Sequence, residues 1–412
     1  MKIALFVELY QCGGIETFIV NLVNAWPLPE DSFVLVANAT YPGLAPIKAR
    51  LTRPCEVVQY EAIANPDLAG LGGWSNMLRR LASPATRYVQ MVLSLPRLRT
   101  LLRGTGADVL MIINGGYPGG DFCRMAGVAW KMIGDRPRSV HNFHNLAAKI
   151  PWYLRLQETL VDRLLSKVTH RFVTVSQAAA ASIVARPAIS QVGLTSYIHN
   201  GIALPPFPDG EDRDVREELG IPGAAPVCLM MGTYEPRKGH LFLFQAFAQV
   251  LKAVPNAQLV VCGFGFPYEV AQVEAYRREL GLESSVHLLG FRADVSRLLA
   301  SADVLLVASQ EYESFGLTSV EAMARRIPVV ATNVGGIPEV VADGDGGYCV
   351  DRLDVDGYAR RVVSLLVCDE LRATQGALGF RRYTSRFRAE VMAKKYADLL
   401  HSLSDSARSP ST

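Results

Sequence analysis

No apolar run in this 412-residue chain reaches the roughly 18–20 residues that a helix needs to cross a bilayer. Cysteine is sparse and scattered: Cys12, Cys55, Cys123, Cys228, Cys262, Cys349 and Cys368 form no CxxC pair. That excludes the common zinc and dithiol motifs and points to reduced thiols in a cytoplasmic protein. The opening Met1-Lys2-Ile3-Ala4-Leu5-Phe6-Val7-Glu8 lacks the pattern of a secretory leader, because Glu8 interrupts it and no small-residue cleavage site follows. It reads as a buried strand. Short internal repeats and low-complexity blocks are missing as well. So is a complete dinucleotide fingerprint: Cys262-Gly263-Phe264-Gly265 lacks the third glycine and a matching acid.

What is present is a globular composition, half hydrophobic and one fifth charged, in a chain long enough for two or three domains. The net charge is +3, unevenly spread. Residues 1–205 hold 20 Lys/Arg against 12 Asp/Glu, a net +8, whereas residues 206–412 hold 22 against 27, a net −5. The front half therefore suits something anionic. From Gly73 to Arg103 there is no acid, and Arg79, Arg80, Arg87, Arg97, Arg99 and Arg103 alternate with apolar residues. Two readings stay open for this segment: a basic amphipathic surface touching an anionic membrane, or an ordinary solvated helix face.

Buried, β-branched runs without alternation recur at Ile3–Val7, Phe33–Ala37, Val109–Ile113, Ser139–Phe143 and Phe172–Val175. They continue at Val227–Met231, Leu259–Cys262, Val286–Leu289, Val304–Ala308, Val329–Ala331 and Tyr348–Val350. With helical patterns between them, they predict parallel sheets covered on both faces: an α/β protein of two doubly wound, Rossmann-like domains. The proline-rich stretch from Ala203 to Gly210 sets the boundary. The expected division is 1–203, 204–385, a docking C-terminal helix over 386–401, and a disordered tail over 402–412.

Chemistry concentrates between Glu311 and Val341. Glu313 and Glu321 stand eight residues apart around a helix start, with Phe315-Gly316-Leu317 offering backbone N–H groups. Thr318-x-x-Glu321 also fits a capping box, which would explain Glu321 without a ligand. A second turn, Gly335-Gly336-Ile337-Pro338-Glu339, follows one strand later. Gly232-Thr233-Tyr234-Glu235-Pro236-Arg237-Lys238-Gly239 places two adjacent cations after a strand, where they could neutralise a diphosphate leaving group. Gly13 and Gly14 join the first strand to the first helix, allowing close backbone approach or merely a tight turn. His141 and His144 lie near a strand end without further ligands at metal spacing; a sugar hydroxyl suits His141 better, and a satisfied structural histidine fits equally.

Together these residues resemble family 4 of the glycosyltransferases, the retaining, metal-independent enzymes of the GT-B fold. The resemblance spans nearly the whole chain and is strongest from Gly232 to Val341. It rests on the E-x7-E spacing of Glu313 and Glu321, on ESFGL followed by a buried strand and GGIPE, and on Asn200-Gly201-Ile202 before the linker. Ala203 replaces the usual acid there, Thr233 stands where an arginine is common, and Arg325-Arg326 replaces small residues.

The resemblance implies two domains facing across a cleft, the back one holding a nucleotide sugar. Glu321 would accept from the ribose and Glu313 would contact the donor sugar. Lys238 and Arg237 would sit on the diphosphate, with Thr233, Phe315, Gly316 and Leu317 nearby. Gly13, Gly14 and Asn200 would complete the binding set, and His141 would meet the sugar's C6 side. No metal or cofactor is implied beyond a UDP- or GDP-linked donor as co-substrate. The expected activity is transfer of a hexose to an acceptor hydroxyl, set in bacterial polysaccharide or lipopolysaccharide assembly. The expected acceptor is a lipid-linked glycan on the inner face of the plasma membrane, approached through residues 73–103, and nucleic acid is not an expected partner. A nucleotide-sugar epimerase of similar fold and a non-catalytic nucleotide-sugar-binding protein are the alternatives.

Overall fold

The computed structural model describes residues 1–61, 74–134, 139–203 and 215–406, without the side chains of 74–86 and 404–406. The chain divides into two compact units, one of residues 1–200 with the segment from Ala389 onward, the other Gly201–Arg388. The linker prolines over 204–210 lie outside the described residues.

In the first unit seven strands make one parallel sheet. They are β1 (Lys2–Val7), β2 (Ser32–Asn38), β3 (Cys55–Tyr60), β4 (Val109–Asn114), β5 (Ser139–Phe143), β6 (Thr169–Thr174) and β7 (Thr195–Tyr197). Their order is β3-β2-β1-β4-β5-β6-β7. The second unit repeats the plan with six parallel strands in the order β10-β9-β8-β11-β12-β13. These are β8 (Val227–Met231), β9 (Gln258–Cys262), β10 (Val286–Leu289), β11 (Val304–Val307), β12 (Val329–Thr332) and β13 (Gly347–Val350). Strand order reverses between β1 and β4 in one sheet and between β8 and β11 in the other. Ligand crevices open at such switch points, outside the carboxyl ends of the strands.

The central strands of both sheets are buried on both faces, as their unbroken apolar runs require. The helix Ala389–Ser406 belongs to the first unit: Met392, Tyr396 and Leu400 are fully or almost fully buried in its core. Asn142 Nδ2 donates to Tyr396 Oη at 2.8 Å, and His401 Nε2 meets Asp31 Oδ2 at 2.8 Å. The expected disordered tail is corrected in part: helix continues through Ser406, because Leu403 still finds a buried place in the core.

A buried ionic network locks the helices of the first unit together. Arg124 on the helix Asp121–Lys131 donates to both carboxylate oxygens of Glu158, at 3.0 and 3.2 Å. Arg186 joins the same carboxylate and reaches Asp162 through its Nε at 2.8 Å. Tyr117 Oη donates to Asp162 at 2.7 Å. Such charges tolerate burial only because each meets an opposite partner. Arg87 is drawn inward too, forking onto Asp121 at 2.6 and 2.8 Å. The segment 73–103 therefore does not present all its arginines outward. Arg97, Arg99 and Arg103 are exposed, while the side chains of Arg79 and Arg80 lie outside the described residues.

Candidate active site

In the second unit the loops leaving β8, β9, β11 and β12 are knitted by backbone contacts. Gly232 N donates to Cys262 O, Tyr234 N to Phe264 O, and Gln310 N to Arg237 O, at 2.9, 2.9 and 2.8 Å. A Cβ on Gly263 would stand 1.8 Å from the Gly232 carbonyl oxygen, so only glycine lets these strands' ends approach. Gly239 adopts φ +76, and a Cβ there would meet the Ala308 carbonyl oxygen at 2.0 Å. That turn follows the short 3-10 segment Pro236–Lys238, which carries the two cations past the end of β8, beside the switch point.

There Lys238 Nζ meets Glu313 Oε2 at 2.5 Å, with both side chains largely buried. Burial works to raise the Glu313 carboxyl; the Lys238 charge and hydrogen bond, Arg237 and the Phe315 N–H outweigh it and hold it below the usual carboxylate range. Gly335 and Gly336 fix Glu313 from behind. Gly336 N donates to the Glu313 carbonyl at 2.8 Å, and a Cβ on Gly335, which has φ +58, would lie 2.1 Å from that same oxygen. The glycine pair thus sets the position of the acid and is not itself a free anion cradle.

Arg237 is engaged as well. Its Nε bonds Glu235 Oε2 at 2.5 Å, and its guanidinium stands 5.0 Å from the Tyr312 ring centroid. Thr233 Oγ1 donates to Glu235 Oε1 at 2.8 Å, so the Thr233–Glu235–Arg237 set supports the loop. Glu235 was not singled out by sequence reasoning; its spacing of two from Arg237 was the available signal.

The capping box is corrected. The helix runs Leu317–Ala324 with Gly316 as its N-cap at φ +83, because only glycine accepts that left-handed turn readily. Thr318 therefore sits inside the first turn and Glu321 at the fifth helical position, too far along to bond the cap. Glu321 is half-buried near the same crevice. Phe315 is a core side chain, edge-on to Phe387 at 5.8 Å, so any ligand contact from it is through backbone. Exposed aromatics cluster on the loops after β9 and β10: Phe264, Phe266 and Phe291 are all open to solvent.

In the first unit Gly13 and Gly14 are exposed at the start of the helix Gly14–Asn24, at the carboxyl end of β1. Gly13 N donates to Glu16 Oε2 at 2.8 Å, which occupies one of the N–H groups there. Asn200 is buried, and its Oδ1 accepts nothing among the described residues. His141 is corrected: it lies inside β5, fully buried and stacked on Phe172, with Nε2 2.6 Å from Asn114 Nδ2. Burial, with Arg124 nearby, lowers its pKa to about 3, so it is a neutral core histidine that no sugar can reach. His144, just beyond the strand, packs its ring 4.4 Å from Phe18; its Nε2 is buried without a partner among the described residues, and burial lowers its pKa to about 3. Among the described residues no group of three or more His, Cys, Asp or Glu is placed to hold a metal ion.

Residues 211–381 match the family model described as glycosyl transferases group 1. N-acetyl-alpha-D-glucosaminyl L-malate synthase of Bacillus anthracis is 32% identical over 187 residues, 45% of this chain and 48% of that protein. D-inositol 3-phosphate glycosyltransferase of Corynebacterium efficiens is 36% identical over 191 residues, 44% of this chain and 45% of that protein. The chain spans about half the length of the curated relatives it matches. Among solved structures, a glycosyltransferase of Rickettsia africae superposes with TM-score 0.77 at 16% identity, covering 98% of both chains. Anabaena HepE in complex with UDP gives TM-score 0.73 at 21% identity, covering 98% of this chain and all of that one. These structural likenesses show the fold, GT-B.

Proposed function

With a segment, residues 211–381, that belongs to the group 1 glycosyl transferases, we propose that this chain is a retaining glycosyltransferase using a UDP- or GDP-linked sugar. The carrying observation is the Lys238–Glu313 pair at the switch point between β8 and β11. A lysine there meets a departing diphosphate, and a carboxylate held ionised accepts from sugar hydroxyls. One relative is named as a glycosyltransferase, and Anabaena HepE was crystallised with UDP, which supports a uridine nucleotide.

In this reading the bond from the sugar's C1 to the diphosphate oxygen breaks as a bond from C1 to the acceptor oxygen forms on the same face. The acceptor proton passes to the leaving phosphate. Lys238 supplies the main positive charge, while Arg237 must trade its Glu235 contact for the phosphate to contribute. Glu321 binds the ribose, and Phe264 and Phe266 border the base. Charge neutralisation is assigned to these side chains and the helix start, with no metal or cofactor. The acceptor is a hydroxyl on a lipid-linked glycan.

A thermal-shift screen against UDP, GDP, ADP and their sugars tests the donor, followed by turnover of each stabilising sugar nucleotide. Glu321→Ala should weaken nucleotide binding at least tenfold, and Glu313→Ala should mainly lower turnover. Unchanged donor use in both variants would remove the site from where it is placed.

A further inference from the structure

The helix Arg155–Val168 of the first unit buries Glu158, Asp162 and Leu165 and turns the other side to solvent. On that outer side Leu156 is 71% exposed, Leu160 55% and Leu164 41%, four residues apart and so in one row along the helix. Trp152, in the short turn leading into the helix, is 87% exposed. Single exposed leucines are ordinary; a tryptophan followed by a row of three is not.

Charge on this segment is sorted by side. Between Asn145 and Arg171 the only acids are Glu158 and Asp162. Both are buried, and Arg124 and Arg186 use up their charge. The exposed charges are Lys149, Arg155, Arg163 and Lys167, which form no ion pair among the described residues. The internal network thus leaves an outer face that is apolar and purely cationic.

We propose that this face of the 155–168 helix, led by Trp152, docks the first unit on an anionic lipid bilayer. Leucines enter the boundary between headgroups and acyl chains, while the long cations among them reach back to anionic headgroups. Tryptophan favours that boundary because its ring is amphipathic. A protein partner fits less well, since the cores of protein interfaces are depleted of lysine. Arg87 of the 73–103 segment is tied to Asp121, whereas the cations of this helix carry no such partner among the described residues.

The test is co-sedimentation of the full chain with phosphatidylglycerol-containing vesicles and with neutral phosphatidylcholine vesicles. The expected result is binding to the anionic vesicles only, weakened by salt. Leu156→Glu/Leu160→Glu and the charge-only variant Arg163→Gln/Lys167→Gln should each lower partitioning at least tenfold with an unchanged melting temperature. Trp152 emission should shift to the blue on binding, and Trp152→Phe should lose that shift while still sedimenting. Absence of anionic-vesicle binding, or binding indifferent to both double variants, overturns the proposal. So does light scattering that shows a dimer dispersed by Leu156→Glu/Leu160→Glu without vesicle binding. Neither donor nor acceptor enters the measurement, so its failure leaves the donor-site reading standing.

Discussion

Lys238 Nζ and Glu313 Oε2 close to 2.5 Å across 75 residues of chain, joining the loops after two adjacent strands. Replacing Lys238 alone leaves a buried carboxylate without its cation, whereas replacing both removes the charge problem. Lys238→Met should lower stability by ~3 kcal/mol in urea unfolding, and Lys238→Met/Glu313→Gln should recover most of it. Turnover should stay lost in both. Recovery of turnover in the double variant would show the pair to be structural only.

Gly335 tests how finely Glu313 must be placed. A Cβ would collide with the Glu313 carbonyl, and φ +58 disfavours any side chain. Gly335→Ala should lower kcat roughly 10²-fold, the scale of a displacement near 1 Å. Nucleotide thermal shift should change far less, since Glu321 lies on a separate helix. Equal loss in both would point to collapse of the whole crevice.

Arg326 explains an oddity of the sequence. It takes the left-handed turn after the helix Leu317–Ala324, at φ +60, a place that favours glycine. Its guanidinium stands over the Phe380 ring at 4.5 Å, which offsets part of the backbone cost. Arg326→Gly should leave stability within about 1 kcal/mol, while the β-branched Arg326→Val should lose roughly 2 kcal/mol. Chemical denaturation of the two variants checks this ordering.

His141 predicts an acid-side weakness. It is neutral when folded, with a pKa lowered from 6.5 to about 3, so the unfolded chain takes up a proton first as pH falls. Its contribution is complete above pH 6.5 and is lost progressively toward pH 3. The stability gap between the parent chain and His141→Phe should therefore move in the variant's favour by roughly 1 kcal/mol between pH 6.5 and 5.5. A gap independent of pH would mean that the imidazole takes up its proton in the fold just as it does in the unfolded chain.

The sequence by itself determined the α/β class and most strands, because central parallel strands are buried on both faces and read as unbroken apolar runs. It did not show β3 or β7. These lie at the two edges of the first sheet, where half-exposure breaks the apolar signal into Cys-Glu-Val-Val-Gln-Tyr and Thr-Ser-Tyr. It also named Glu313, Lys238 and Glu321, whose residue types and spacing carry their chemistry. Tertiary structure alone decided which groups meet. The switch between β8 and β11 brings Lys238 to Glu313, Gly335 holds that acid in place, and Glu235 claims Arg237. Burial took both histidines of this stretch out of reach of a ligand, His141 inside β5 and His144 just past its end. Burial also consumed Glu158 and Asp162 inside the first unit, leaving the outer face of their helix wholly cationic. Local sequence records what a residue can do, and contacts between distant segments set which partner it does it with.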